Sequence, residues 1–383
     1  MAASIAAIYA IGIAPRAFPV FGIDVSPATQ LLILLGSATF SVSLLLAGRL
    51  AKPPRSDNLI SSSRTPKLLL FLVAIGILGA VINYATGDIP ILSGDVNGSR
   101  LNGNFGTLGR MWPIFLPLLQ LGVIAGIVSV LRRNATRAVI VSASLSTALL
   151  LLNGGRSLLV ICLLAGALVA IDLMRPKLWV LVSAAAGGAG LIGLIGFART
   201  QGSAGADAAL QYLDERNLDS WWGSLDLSLQ TGPRVLDLAN SAVTSREAAG
   251  SILFGDIANF FNSSFQRSDR LVTEAIGRDP LVLGGMPPTI WGGFTLEFGP
   301  VGLVLGAILV ALALVYFNKK MRQNASILTD IWFGYFSAYI LLGSYSYFSV
   351  RPSWITIGVA LLICSISEKS HTAMNQRQRI SYA

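Results

Sequence analysis

Residues 68–85 read LLLFLVAIGILGAVINYA. No charged side chain interrupts the run, and as a helix it is roughly 27 Å long, close to the hydrocarbon thickness of a bilayer. An amphipathic helix of a soluble core would show a polar stripe along one face; here Asn83 and Tyr84 arrive only at the end. A membrane barrel strand would be shorter and would alternate in polarity. The stretch therefore reads as a transmembrane helix, because hydrocarbon tolerates only a backbone that satisfies its own hydrogen bonds.

The rest of the chain repeats that pattern. Its 383 residues are 53% hydrophobic and 12% charged, with a mean hydropathy of +0.66, whereas soluble domains carry about 25% charged residues. A chain of this composition could not hide its apolar surface in water. The expected fold class is all-α: a polytopic integral membrane protein, one transmembrane domain over 1–383, with about ten spans, of the length a bilayer requires apart from a few short ones. They fall near residues 2–20, 28–48, 68–85, 108–131, 138–153, 157–173, 178–198, 289–317, 327–347 and 353–366. The first is the weakest, since Pro15, Arg16 and Pro19 break its end. It has neither the basic start nor the small-residue cleavage site of a signal peptide.

Lysine and arginine set the expected orientation. With the N-terminus inside, the inner segments 49–67, 132–137, 174–177, 318–326 and the tail are all short and basic, as the positive-inside bias requires. Both termini are then cytoplasmic. All six lysines fall inside, while the twelve basic residues left outside are all arginine: Arg16, Arg100, Arg110, Arg156, Arg199, Arg216, Arg234, Arg246, Arg267, Arg270, Arg278 and Arg351. The topology rule treats both residues alike, so it does not ask for this split. Codon usage favouring arginine is one account. The other is an anion-binding surface, because guanidinium is planar, permanently charged and bidentate toward phosphate and carboxylate.

The long hydrophilic segment, 199–288, lies between the seventh and eighth spans and is expected outside. ADAALQYLDERNLD (206–219) reads as a short amphipathic helix. PRVLDLANSAVTSREAAG (233–250) reads as another, with Val235, Leu238, Ala242 and Ser245 on one face, Pro233 at its start and Gly250 after its end. SILFGDIANFF (251–261) is apolar around one embedded carboxylate, Asp256, like a segment dipping into the membrane interface. Loops of this length are commonly functional. Gly188, Gly190 and Gly193 match a dinucleotide fingerprint, but inside a span their role is close helix packing. Cys162 and Cys364 lie in spans, and the one histidine, His371, lies in the inner tail. No metal site, disulfide framework or cofactor is expected.

Two further neighbourhoods carry chemistry. LNGGRSLLV (152–160) puts Arg156 at the outer mouth between two spans, where it either binds an anion or snorkels to the interface. WGGFTLEFGPVGLVLG (291–306) puts Glu297 a turn or two into the eighth span beside a Gly299–Pro300 break. An intramembrane carboxylate is a functional-site candidate, although a solvated helix end would also account for it. Asp172 and Asp330 sit near inner span ends, where a solvated position is expected.

These residues bring a resemblance into view. GDIPILSGDVNGSR (87–100), NGGRSLLV (153–160) and MPPTIWGGFTLEFGPVGLVLG (286–306) resemble, in order and layout, the short motifs of Wzy-type O-antigen or oligosaccharide repeat-unit polymerases. The related O-antigen ligases share the layout but typically use a histidine in the large loop, which this chain lacks. The resemblance implies a GT-C-like membrane glycosyltransferase of the bacterial inner membrane with one large periplasmic loop. Its donor and acceptor would be glycans on polyprenyl diphosphate, and a chain-length regulator and a flippase would accompany it. No nucleic acid partner is expected. The growing glycan would pass from its carrier to a hydroxyl of the next lipid-linked unit. Arg100, Arg156, Arg246, Arg270 and Arg278 are the candidates for holding the diphosphate, in the role Mg²⁺ plays elsewhere, and Glu247, Asp256 and Glu297 are the candidates for the base that takes the hydroxyl proton. A ligase-like transferase and a transporter of anionic lipid-linked sugars remain as alternatives. Paired repeats and broken mid-membrane helices, which mark many transporters, are not evident in the sequence.

Overall fold

The structure is a computed structural model. It describes residues 25–50, 65–92, 106–174, single positions between 177 and 190, 221–242, 250–275, 277, 288–323, 326–343 and 349–381. The expected first span lies outside the described residues, as do segment 206–219 and most of the span near 178–198. The other eight expected spans are all helical. They are α1 (Pro27–Leu50), α2 (Lys67–Thr86), α3 (Trp112–Leu131), α4 (Arg137–Leu152), α5 (Arg156–Met174), α9 (Thr289–Gln323), α10 (Ile327–Gly343) and α11 (Pro352–Ser381). Between α5 and α9 stand α6 (Trp221–Ala242), α7 (Ser251–Phe261) and α8 (Ser268–Ala275). No strand occurs among the described residues.

Five of these helices are long and apolar enough to cross a bilayer: α1, α2, α3, α5 and α9. Their exposed surface is rich in large apolar side chains, including Leu31, Leu45, Phe71, Leu78 and Leu309. A water-soluble protein does not leave so extensive an apolar surface bare; hydrocarbon covers it without penalty.

Helix α3 is the hub. It packs against α2, α4, α5, α10 and α11, and 72% of its apolar stretch is buried against 22% for α1. Small residues permit this. A side-chain carbon at Gly76 of α2 would come within 2.6 Å of Leu118 Cβ, and one at Gly122 of α3 within 2.7 Å of Val73 Cγ1. Gly126 lies as closely on Ala143 of α4. Without a hydrophobic force between helices in lipid, such close backbone approach supplies the association.

Two sets of contacts define the ends of the bundle. At one end Arg132, which follows α3, forms a buried ion pair with Asp330 in the first turn of α10, and its Nη2 donates to Asp330 Oδ1 at 3.0 Å. Thr65 and Ser129 are hydrogen-bonded nearby at 2.8 Å. The expected solvated position of Asp330 is therefore corrected: it is fully buried. The charge is held there because a paired guanidinium replaces the water that burial removes. At the other end, Tyr84 of α2 donates to the Leu149 carbonyl of α4 and meets Trp112 of α3 edge to face.

The Gly299–Pro300 break is sharp. Gly299 has φ +67°, and the two arms of α9 fold against each other. A side-chain carbon at Gly306 would come within 2.6 Å of the Phe294 ring, although a straight helix would separate these positions by roughly 18 Å. Glu297 thus belongs to the arm before the fold-back rather than to a straight crossing. Val235 and Ala239 of α6, Ile252 of α7, Val272 of α8 and Leu296 of that arm form a small second core. Helix α6 begins well before Pro233 and is described as far as Ala242, so Ser245 of the expected face lies outside the described residues. Its buried face runs through Val235, Leu236 and Ala239, so the expected Leu238–Ala242 face is rotated: the sequence pattern marked one edge of the stripe instead of its centre.

Candidate functional site

A cavity of about 310 Å³ opens at the end of the bundle opposite the Arg132–Asp330 pair, where α3, α5, α10 and α11 meet α7. Its floor is apolar: Pro113, Leu116 and Pro117 come from α3, Leu158 and Ile161 from α5, and Leu342 from α10. Pro113 stands in the first turn of α3, where a proline costs little because the first N–H groups lack helical partners, whereas Pro117 lies inside the helix and removes the N–H that would bond the Pro113 carbonyl. Gln120 lies at the floor and donates to the Leu158 carbonyl at 3.2 Å, tying α3 to α5.

The rim carries the charge. Asp256 enters from α7, Arg267 from the turn before α8, and Arg351 from the residue before α11. Asp256 Oδ2 accepts a 2.9 Å hydrogen bond from Ser349 Oγ and lies 3.7 Å from Arg351 Nε, while Oδ1 lies 4.0 Å from Arg267 Nε. The Asp256 side chain is only 9% exposed, but the arginine side chains are 46% (Arg267) and 38% (Arg351) exposed. Both contacts are at the long end of the ion-pair range. Arg351 also lies 5.7 Å from the centre of the Tyr339 ring, within cation–π range. Tyr339 and Tyr335 complete the wall from α10.

The loop helix is fastened to this end by its backbone. Val350 N–H donates to the Leu253 carbonyl at 2.8 Å, and Ser349, whose carbonyl accepts from Tyr339 Oη at 3.4 Å, reaches Asp256. Asp256 is thus held by both the span it faces and the loop it belongs to. Among the described residues that line the cavity, two guanidiniums and one carboxylate stand beside a largely apolar lining. That arrangement suits a ligand with an anionic head and an apolar tail. Among the described residues, no three His, Cys, Asp or Glu side chains converge to hold a metal ion.

The candidates from the sequence are distributed unevenly. Asp256 lines the cavity. Glu297 does not: it is buried at 4% exposure beneath the start of α7, where its Oε2 accepts from the N–H groups of Ile252 and Leu253. Arg156 opens α5, and its neighbours Ser157 and Leu158 line the cavity. Arg270 stands half-buried on α8, outside the lining. Arg100, Arg246, Glu247 and Arg278 lie outside the described residues. Sequence reasoning did not select Arg267 and Arg351. Both belonged to the all-arginine outer set, but nothing in their local sequence separates them from the others; they meet only because Ser349 and Asp256, 93 residues apart, are in contact.

No curated protein and no solved structure matches the chain. The sequence model of the O-antigen polymerase family matches residues 4–345, a range that includes Asp256 and Arg267 and stops just short of Arg351. With nearly its whole length matched, and with helices that can cross a membrane, this chain belongs to the O-antigen polymerase family and works in polysaccharide biosynthesis.

Proposed function

We propose that the cavity is the transfer site of a membrane glycosyltransferase that joins repeat units carried on polyprenyl diphosphate. The observation that carries this reading is Asp256 standing between two exposed arginines above an apolar floor. Arg267 and Arg351 hold the diphosphate of the donor, and the floor between α3 and α5 takes the first part of its prenyl chain. Asp256 accepts the proton of the acceptor hydroxyl. The new bond forms between that oxygen and the anomeric carbon of the donor, the bond from that carbon to the diphosphate breaks, and polyprenyl diphosphate leaves. The charge that develops on the leaving group is met by guanidiniums already in place, which stabilises the transition state more than the ground state. Arg156, whose chain neighbours Ser157 and Leu158 line the cavity, is the remaining candidate from the sequence for the same anion.

In this reading the cavity faces the periplasm, the segment 199–288 is the large periplasmic loop, and both termini are cytoplasmic. The basic segments at the opposite end of the spans support that orientation. The test is the pool of lipid-linked glycans in a deletion strain complemented with wild type or with Asp256→Asn. Loss of function should leave single repeat units on the carrier. Long chains left on the carrier would indicate a ligase instead, and glycans trapped on the inner leaflet a transporter.

A further inference from the structure

Helix α7 has an unusual beginning. Its N-cap is Gly250, with φ +89°, so no side chain at that position can accept the first N–H groups of the helix. Those groups have no intrahelical partner and need an acceptor from elsewhere. Glu297, from the arm of α9 before its fold-back, supplies it: Oε2 accepts from Ile252 N–H at 2.9 Å and from Leu253 N–H at 3.1 Å. The carboxylate is buried, and a negative group at a helix N-terminus is favoured by the peptide dipoles aligned behind it. Asp256 follows Ile252 by one helical turn and points into the cavity.

We infer that Glu297 is a positioning residue: by capping α7 from another helix it fixes where Asp256 stands between Arg267 and Arg351. The inference rests on Asp256 acting in the cavity, and it gives Glu297 a role distinct from that of the base. Capping needs an oxygen acceptor of the right length, which glutamine retains. Basicity needs a carboxylate, which glutamine lacks. The backbone bond from Val350 to Leu253 and the hydroxyl of Ser349 hold the same turn from the other side. The cap and these two contacts fix the turn jointly, so losing the cap lets it shift without detaching the helix.

The experiment uses the full-length protein in lipid nanodiscs, with lipid-linked repeat units as substrate and amide hydrogen exchange of 251–261 as a second readout. Glu297→Gln should keep turnover within about threefold of wild type and keep the shape of its pH–rate profile, because the cap survives. Glu297→Ala should lower kcat about 30- to 100-fold with little change in KM, as expected when a reacting group is displaced by about an ångström. The same variant should speed exchange in the first turns of α7 by about tenfold, the scale of a lost cap. Asp256→Asn should lose turnover without faster exchange. A Glu297→Gln variant as inactive as Asp256→Asn would make Glu297 the base and overturn the inference. So would a Glu297→Ala variant with wild-type exchange. A fully active Asp256→Asn would sink the transfer-site reading instead, while the exchange result would still decide the cap.

Discussion

Replacing Arg351 by lysine separates what that side chain does for the ligand from what it does for the fold. Its Nε lies 3.7 Å from Asp256, and the side chain is 38% exposed. Two unit charges about 4 Å apart attract by about 4 kcal/mol at an effective dielectric of about 20. Solvent screening and side-chain entropy reduce exposed pairs of this kind to about 1 kcal/mol or less. Lysine keeps the charge, so the variant should unfold within about 1 kcal/mol of wild type. Its effect on the ligand is larger. A guanidinium can give a phosphate two parallel hydrogen bonds and an ammonium cannot match that fork. One lost charged hydrogen bond is worth about 1.5–3 kcal/mol, which corresponds to a fall of about 10- to 100-fold in kcat/KM. Arg267, at 4.0 Å and 46% exposed, should show a smaller fall, about three- to tenfold on the same reasoning. The double variant should be non-additive, because both side chains meet one ligand. The assay is polymer formation by purified protein in nanodiscs, with thermal unfolding followed in parallel. Wild-type kcat/KM in both lysine variants would refute the diphosphate assignment, and a loss of activity matched by a loss of stability would refute the separation.

Other consequences follow from the bundle. Asp330→Ala removes the carboxylate paired with the buried Arg132 and should destabilise the protein by about 3–5 kcal/mol, whereas the paired change Arg132→Met with Asp330→Leu should recover most of that loss; detergent-unfolding midpoints measure both. Gly126→Leu, forced against Ala143, should cost about 1–3 kcal/mol by overpacking the α3–α4 contact, read as a lower melting temperature with the cavity's activity falling in parallel. Reporter fusions after Ser203 and after Lys320 should report opposite sides of the membrane; signals from the same side would contradict the proposed orientation.

The spans were legible because lipid makes their signal simple. An uninterrupted apolar run has one physical solution, and α1, α2, α5 and α10 begin within a residue of where hydropathy puts them. The Gly299–Pro300 break was legible for a similar reason: a glycine free to take positive φ next to a residue without an N–H ends a helix wherever it occurs. Asp256 stood out as the one charge in SILFGDIANFF, and the cavity accounts for that oddity. Partnerships between distant elements were not legible. Sequence shows that Asp330 lies near a span end, but not that Arg132 will reach it. It shows Glu297 beside a break, but not that a bare helix N-terminus will lie over it. Arg267 and Arg351 look like any other outer arginine until Ser349 is brought to α7. Each of these depends on which helix ends face one another, and apolar periodicity in a membrane does not encode that, because the lipid face and the packed face are equally apolar.

The most direct test of the account is the single-turnover rate of glycan transfer by Asp256→Asn, measured alongside binding of the lipid-linked donor. Asparagine keeps the shape of the side chain and can still accept from Ser349, but it cannot take a proton. The account predicts a fall of about 10²- to 10⁴-fold in the transfer rate, the range for loss of a general base, with donor binding by Arg267 and Arg351 retained. A transfer rate equal to that of wild type would contradict it.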